Sequence, residues 1–120
     1  MLRFGSAALA LVMVSPAAAQ SNDGLYKGKQ LRVVISAGTG GGYDAYARLL
    51  ARHMERHIPG RPALVLQNMP GAAGMLATNW AYNVAPKDGS VLLATYNALL
   101  PEPLFGNPAV QFDPLKFEWV

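Results

Sequence analysis

The sequence predicts an α/β fold whose parallel β-sheet is built in the order β-α-β-α-β. Three short apolar segments, 31–37, 63–68 and 90–96, have the composition of buried strands. The two segments between them, 43–57 and 72–84, repeat apolar residues at helical spacing. Because strands that alternate with helices pair in parallel through right-handed crossovers, this alternation indicates one parallel sheet with two crossover helices.

Residues 31–60 are predicted to form the first strand and the first helix. The strand, LRVVISA, is rich in β-branched residues and almost continuously apolar. The helix ends where Ile58-Pro59-Gly60 breaks the pattern. The stripe expected to face the sheet comprises Tyr43, Tyr46, Ala47, Leu50 and Met54. The opposite, polar face carries Arg48, Arg52, Glu55 and Arg56.

The second half of the pattern is predicted in the same way. The strand ALVLQN leads into the turn MPGAAG, in which Pro70 fixes φ just ahead of a helix. The stripe of this helix comprises Leu76, Trp80 and Val84, with Ala73, Ala77 and Ala81 beside it. The turn APKDG then leads into the third strand, SVLLATY. A chain of 120 residues holds one small domain at most, so the core is modest.

The first 19 residues have the pattern of a secretory signal peptide. Arg3 precedes an apolar run over 7–14, and Ala17-Ala18-Ala19 provides an A-x-A cleavage signal. The competing interpretation is a retained membrane anchor, but the run is far shorter than the roughly 20 residues that span a bilayer. We therefore expect cleavage after Ala19, a polar leader over 20–30, a folded unit over 31–120, and a periplasmic location.

Charge and cysteine content exclude some classes of partner. The chain has 10 basic and 7 acidic residues, so removal of Arg3 leaves a net charge of 9 − 7 = +2. That excess is small and not clustered, which does not favour nucleic acid as a partner. Without cysteine the chain has no disulfide framework and no site for a lipid on a cleavage-site cysteine.

The carboxyl edge of the sheet is the predicted ligand site. Ligands of open parallel sheets bind outside the carboxyl ends of the strands, where segments 36–44, 68–74 and 95–98 lie. Both glycine-rich turns precede a helix, and unpaired N–H groups at a helix N-terminus favour an anion. Neither turn contains Lys or Arg. The candidate ligand-binding residues are Ser36, Gly38, Thr39, Gly40, Gly41, Gly42, Tyr43, Asp44, Asn68, Pro70, Gly71, Ala72, Ala73, Gly74, Tyr96 and Asn97.

Several of these residues have two possible roles. Asp44 either complements the dipole of the first helix or holds a water or a donor group of the ligand. Ser36 and Thr39 add hydroxyl contacts or bond local backbone. Tyr96 forms a wall of the cleft and Asn97 gives one oriented hydrogen bond, unless both serve only the turn.

Enzymatic and metal-dependent functions have weaker support. A degenerate G-x-G-x-x-G occurs at Gly40, Gly42 and Ala45, but Gln67-Asn68 stands where a dinucleotide site needs an acid, and no G-K-[ST] follows. His53 and His57 lack the glutamate spacing of H-E-x-x-H. No G-x-S-x-G, cysteine nucleophile or pair of carboxylates is present. We therefore predict no catalytic residue, no metal and no cofactor.

Three motifs together resemble the periplasmic solute-binding receptors of tripartite tricarboxylate transporters, the Bug or TctC-type family. The family patterns are G-G-x-x-D before the first helix, N-x-P-G-A-x-G before the second, and P-x-D-G before the third strand. The matching residues are Gly41, Gly42, Asp44, Asn68, Pro70, Gly71, Ala72, Gly74, Pro86, Asp88 and Gly89. The resemblance runs from about Leu31 to the end of the chain.

The resemblance implies a two-lobed, type II periplasmic binding protein, of which 31–120 is part of the first lobe. It further implies a monomeric, non-enzymatic receptor that closes on a small carboxylic acid and presents it to a membrane permease. Many relatives have proline in the first loop, where this chain has none, and arginine at the position of Met69. Because of these departures, the substrate preference of better-known members is not assigned to this chain. The alternatives are a nucleotide-dependent α/β enzyme and a structural fragment that binds nothing.

Overall fold

The predicted parallel sheet is present. A computed structural model describes residues 24–120. Its strands β1 (Gln30–Ile35), β2 (Ala63–Asn68) and β3 (Val91–Ala94) pair in the order β2-β1-β3, both pairs parallel. Ile35 lies opposite Asn68 on one side and Ala94 on the other, so the three strands end at one edge. The predicted signal peptide, 1–19, lies outside the described residues.

Two helices cover the sheet, α1 (Gly42–Met54) between β1 and β2 and α2 (Met75–Asn83) between β2 and β3. The connection from β1 to β2 runs in one direction across the sheet, and the connection from β2 to β3 runs in the opposite direction, past β1. Because both crossovers are right-handed, α1 and α2 lie on opposite faces of the sheet. The middle strand is buried from both sides, and Val34 and Ile35 are each 0% exposed. The α/β class and the parallel topology are therefore confirmed.

The predicted sheet-facing stripe of α1 is correct for Ala47 but wrong for Tyr46 and Leu50. Tyr46 and Leu50 are 75% and 62% exposed, whereas Ala47 and Ala51 are buried against the sheet. Small alanines let the helix approach the sheet closely, and Ala47 packs with Val33 and Ile35. The large apolar side chains were assigned to the core on hydrophobicity alone, but they lie on the outer face.

The second helix begins later than predicted and presents a different face. Residues Ala72–Gly74 form a 3₁₀ turn rather than the first turn of α2, since Ala72 and Ala73 have φ of 45° and 52°. Met75, Ala77, Thr78 and Ala81 are the buried residues of α2. Leu76 and Val84, which were expected to face the core, are exposed. Here too the helix lies on the sheet through small residues.

The chain after β3 forms short turns rather than a further helix or strand. Thr95 and Tyr96, predicted as part of the third strand, leave the sheet. The 3₁₀ turns Asn97–Leu99, Glu102–Phe105 and Pro114–Lys116 follow. Leu99 and Phe112 pack with Met75 in a second apolar cluster. Within residues 24–120, no helix has the length and apolar character needed to cross a membrane.

Candidate functional site

The three predicted segments lie together at the carboxyl edge of the sheet. Asn68, at the end of β2, donates from Nδ2 to Asp44 Oδ1 at 2.8 Å. Tyr43, in the first turn of α1, donates from its hydroxyl to Asn97 Oδ1 at 3.0 Å. The ring of Tyr96 packs against the backbone of Gly74. The glycine loop before α1 is thus the centre of this edge, with the other two segments on either side.

The glycine loop leaves the N-terminus of α1 uncovered. A Cβ placed on Gly38 or Gly42 would meet no heavy atom within 4 Å, and one on Gly41 would meet only Gly38 O, at 3.8 Å. Gly40 is the one glycine of the loop with positive φ, 84°, which the turn requires. Within the described residues, no side chain caps the N-terminal N–H groups of the helix at Gly41. Those N–H groups remain available to an acceptor from outside.

Asp44 is buried beneath this loop and ionised. It is 3% exposed, and Oδ2 accepts from the backbone N–H of Gly40 at 2.9 Å. Arg48 Nε lies 3.0 and 2.9 Å from its two oxygens. The bond from Arg48 chiefly lowers the pKa of Asp44, those from Gly40 and Asn68 lower it further, and burial opposes them. Both oxygens of the carboxylate therefore accept hydrogen bonds from within the protein.

Arg48 and Asn68 complete a ring of hydrogen bonds with Asp44. Arg48 Nη2 donates to Asn68 Oδ1 at 2.8 Å, and Asn68 Nδ2 also donates to Ala37 O at 2.9 Å. Both ends of the Asn68 amide are thus occupied within the chain. The ring connects the start of the glycine loop, the first turns of α1 and the end of β2. It ties the glycine loop to both α1 and β2.

Sequence reasoning missed Arg48, which was assigned to the polar face of the helix. Its spacing from Asp44 is i, i+4, the spacing at which opposite charges on a helix meet. That signal was available in the sequence. The contact with Asn68 was not, because it depends on the pairing of β1 with β2.

The second glycine turn is packed rather than open. Gly71 lies against Leu76, whose Cδ2 would be 3.0 Å from an added Cβ. Gly74 lies against Tyr96, whose Cδ2 would be 2.6 Å from an added Cβ. Pro70, Ala72 and Ala73 are exposed beside them. The glycines of the two turns, which look alike in sequence, therefore differ in the space beside them: a side chain could be added to most of the first loop but not to Gly74.

The segment after β3 contacts both helices. The rings of Tyr43 and Tyr96 meet edge to face, with centroids 4.5 Å apart and planes at 74°. Asn97 is exposed, and its side-chain Oδ1 accepts from the hydroxyl of Tyr43. Tyr43, Tyr96 and Asn97, predicted separately as site residues, are thus direct neighbours.

The two hydroxyl candidates lie in different surroundings. Thr39 is exposed on the glycine loop. Ser36 is 1% exposed, and its Oγ has no hydrogen-bond partner among residues 24–120. The backbone N–H of Ser36 donates to Ala94 O at 2.9 Å, so Ser36 lies beneath the surface beside the end of β3.

Other features of the described residues lie away from the glycine loop. Residues 24–120 contain no group of three or more His, Cys, Asp or Glu side chains placed to share a metal ion. Arg56 Nε lies 3.0 Å from His57 Nε2 in the exposed 3₁₀ turn Glu55–His57, which follows α1. A cavity of about 740 Å³ borders β3, with Tyr82, Lys87 and Trp119 among its lining residues. Neither feature reaches the loop.

Comparison with known proteins gives one similarity that supports the resemblance. No protein-family model matches the chain. The chain is similar to a UPF0065 protein of Bordetella bronchiseptica, with 29% identity over 94 residues. The matched region covers 78% of this chain and 27% of that protein, so the chain spans about a quarter of the length of this curated relative. The similarity connects most of this chain with a much longer protein of the UPF0065 group.

Proposed function

We propose that the chain is part of an extracytoplasmic solute-binding protein that captures a small carboxylate for a tripartite tricarboxylate-type transporter. The proposal rests on the motif resemblance to Bug-type receptors, and the similarity to a UPF0065 protein supports it. The observation that carries it is the uncovered N-terminus of α1 at Gly41, Gly42 and Tyr43. No cofactor or nucleic acid takes part.

A helix N-terminus of this kind suits a carboxylate. The first N–H groups of the 13-residue helix point out of its end, and the helix dipole adds a partial positive charge there. A capping side chain at such a position contributes typically about 1 kcal/mol. On our proposal the ligand's carboxylate takes the place of the absent cap, while the glycines keep side chains out of its path.

On our proposal, the ring of hydrogen bonds around the buried Asp44 orders the binding loop before the ligand binds. Gly40 donates to Asp44, so the loop cannot rearrange without breaking a bond to a buried carboxylate. The charge of Arg48 is balanced by Asp44. The ligand would therefore meet backbone donors in a fixed arrangement, and little entropy would be lost in ordering them.

The remaining parts of the proposal follow from the resemblance. Residues 1–19 would direct the chain to the periplasm and be removed. Residues 31–120 would form part of the first lobe, and a second lobe would close over the carboxyl edge of the sheet about a hinge. The closed, monomeric receptor would deliver the acid to a membrane permease.

Thermal unfolding in the presence of small anions tests the proposal. The panel contains acetate, succinate, citrate, phosphate and NAD. A ligand present at 100 times its dissociation constant adds about 2.7 kcal/mol to the free energy of unfolding. We expect stabilisation by one class of carboxylate. Stabilisation by NAD alone would favour a nucleotide-dependent enzyme, and no stabilisation by any carboxylate would contradict the proposal.

A variant of the glycine loop locates the binding site. Gly42→Val adds a branched side chain to a position with open space and helical φ, so the fold should tolerate it. We expect carboxylate affinity to fall at least about tenfold, equivalent to 1.4 kcal/mol. Gly24→Val is the matched control, because Gly24 also has open space and lies outside the loop. Equal affinities in the two variants would place the ligand elsewhere.

A further inference from the structure

The turn that follows β3 is held between the N-terminal ends of both helices. On one side, the ring of Tyr96 meets the ring of Tyr43 in the first turn of α1, with centroids 4.5 Å apart. On the other side, Tyr96 and the buried Leu99 press on Gly74, just before α2. Asn97 lies between these two anchored residues, and the backbone N–H of Leu99 bonds to Tyr96 O at 3.1 Å. The backbone of Asn97 is therefore fixed relative to the glycine loop.

The two asparagines at this edge differ in what they offer to a ligand. Asn68 donates its Nδ2 hydrogens to Ala37 O and to Asp44, at 2.9 and 2.8 Å. Asn97 uses only its Oδ1, which accepts from Tyr43. Among residues 24–120, Nδ2 of Asn97 has no hydrogen-bond acceptor, and its side chain is exposed. Asn97 therefore has side-chain N–H groups available to a ligand, whereas those of Asn68 are bonded within the protein.

The hydroxyl of Tyr43 occupies the acceptor end of the Asn97 amide. An amide side chain carries an acceptor end and a donor end of almost the same shape. Because the hydroxyl donates to Oδ1, the acceptor end is occupied and the two N–H donors remain. Tyr43 itself follows Gly42 in the first turn of α1, so this contact joins the amide to the helix end.

We propose that Asn97 selects the ligand by donating from Nδ2 to an acceptor oxygen of the bound acid, and that Tyr43 is the residue that positions this amide. This inference rests on the proposed function. The ligand class is a carboxylic acid that also carries a second acceptor oxygen. This oxygen belongs to a second carboxylate or to a hydroxyl group, and it meets Asn97 while the first carboxylate lies at the helix N-terminus.

Nuclear magnetic resonance with succinate as the probe tests the contact. In a ¹⁵N-labelled sample of the full chain, we expect succinate to shift the backbone amides of Gly42 and Tyr43 and the side-chain NH₂ of Asn97. The side-chain NH₂ of Asn68 serves as the internal control and should move little, since its acceptors lie within the protein. Shifts at the loop without a shift at Asn97 would overturn the inference and leave the proposed function intact. Titration that shifts none of these signals would overturn the proposed function, and this inference with it.

A double-mutant cycle tests the positioning role of Tyr43. Tyr43→Phe keeps the ring against Tyr96 and removes only the hydroxyl. From the net contribution of one hydrogen bond, we expect it to weaken succinate binding about two- to tenfold. In an Asn97→Ala background the same change should have no effect on affinity, because the amide it positions is gone. Equal losses in both backgrounds would show that Tyr43 acts only on the structure, and would overturn this part of the inference.

Discussion

Gly74→Ala tests whether the turn before α2 is as closely packed as the structure indicates. Gly74 has φ of 90°, a value that residues with a Cβ adopt only at a cost. An added Cβ would lie 2.6 Å from Cδ2 and 3.0 Å from Cε2 of Tyr96, and 3.2 Å from Cδ1 of Leu99. The Tyr96 ring cannot swing freely, because its other side packs against Tyr43. The substitution therefore combines backbone strain with overpacking.

The expected cost follows from these two contributions. A left-handed conformation costs an L-residue about 1–2 kcal/mol, and overpacking of a closely packed site costs about 1–3 kcal/mol. Replacing glycine also lowers the entropy of the unfolded chain, which offsets about 0.4–1 kcal/mol of that cost. We expect the free energy of unfolding of Gly74→Ala to fall by about 2–4 kcal/mol.

Urea unfolding followed by circular dichroism measures this cost. Gly106→Ala is the control, since Gly106 has φ of 69° but no heavy atom within 4 Å of an added Cβ. It should lose only about 1 kcal/mol, from the backbone alone. Gly74→Ala should cost less in a Tyr96→Val background than in the unaltered chain, because the ring that the new methyl group meets is gone. Equal losses at Gly74 and Gly106 would refute the argument that Tyr96 is wedged against the turn.

Three further predictions concern the ring of hydrogen bonds and the core. The pKa of Asp44 lies below its ordinary value of 3.8, so its contribution to stability is complete above that pH and is lost as the pH falls further. Unfolding between about pH 2 and 5 should therefore show an acid-dependent loss of stability that is reduced in Asp44→Asn. On α1, Leu50→Ser should change the free energy of unfolding by less than about 0.5 kcal/mol, whereas Ala51→Leu should cost about 1–3 kcal/mol; the reverse order would support the stripe predicted from sequence. Ile35→Ala should cost about 2–5 kcal/mol in the same assay, and a loss below about 1 kcal/mol would contradict its place in the core.

The topology of the sheet was predictable because it depends on a coarse pattern. Apolar segments of strand length that alternate with helical segments leave few arrangements other than a parallel sheet. The same topology explains why the three candidate segments lie at one edge. The assignment of individual residues to ligand contacts stays a prediction.

The faces of the helices were not predictable from hydrophobicity. Which side chains of α1 meet the sheet depends on how closely the helix approaches it, and Ala47 and Ala51 permit a closer approach than Tyr46 and Leu50. The distance between helix and sheet depends on how the two layers pack, and no short stretch of the sequence determines it. Hydrophobicity alone ranks large apolar residues above alanine as core residues, and it takes no account of the distance between helix and sheet.

The internal role of Asp44 was only half visible in the sequence. Its i, i+4 relation to Arg48 can be seen along the chain. Its bond to Asn68 joins residues 24 positions apart and exists only because β1 and β2 are paired. The closed second turn was likewise hidden, because Gly74 meets Tyr96 across a gap of 22 positions.

The ring formed by Asp44, Arg48 and Asn68 makes the glycine loop a poor candidate for transplantation. A designer who copies only residues 36–42 into another α/β protein would leave behind the carboxylate that Gly40 bonds and the amide that bonds Ala37. The grafted loop would then have the right composition and no fixed shape. The smallest portable unit is the loop, the first two turns of α1 and the last residue of β2, carried together on two paired strands.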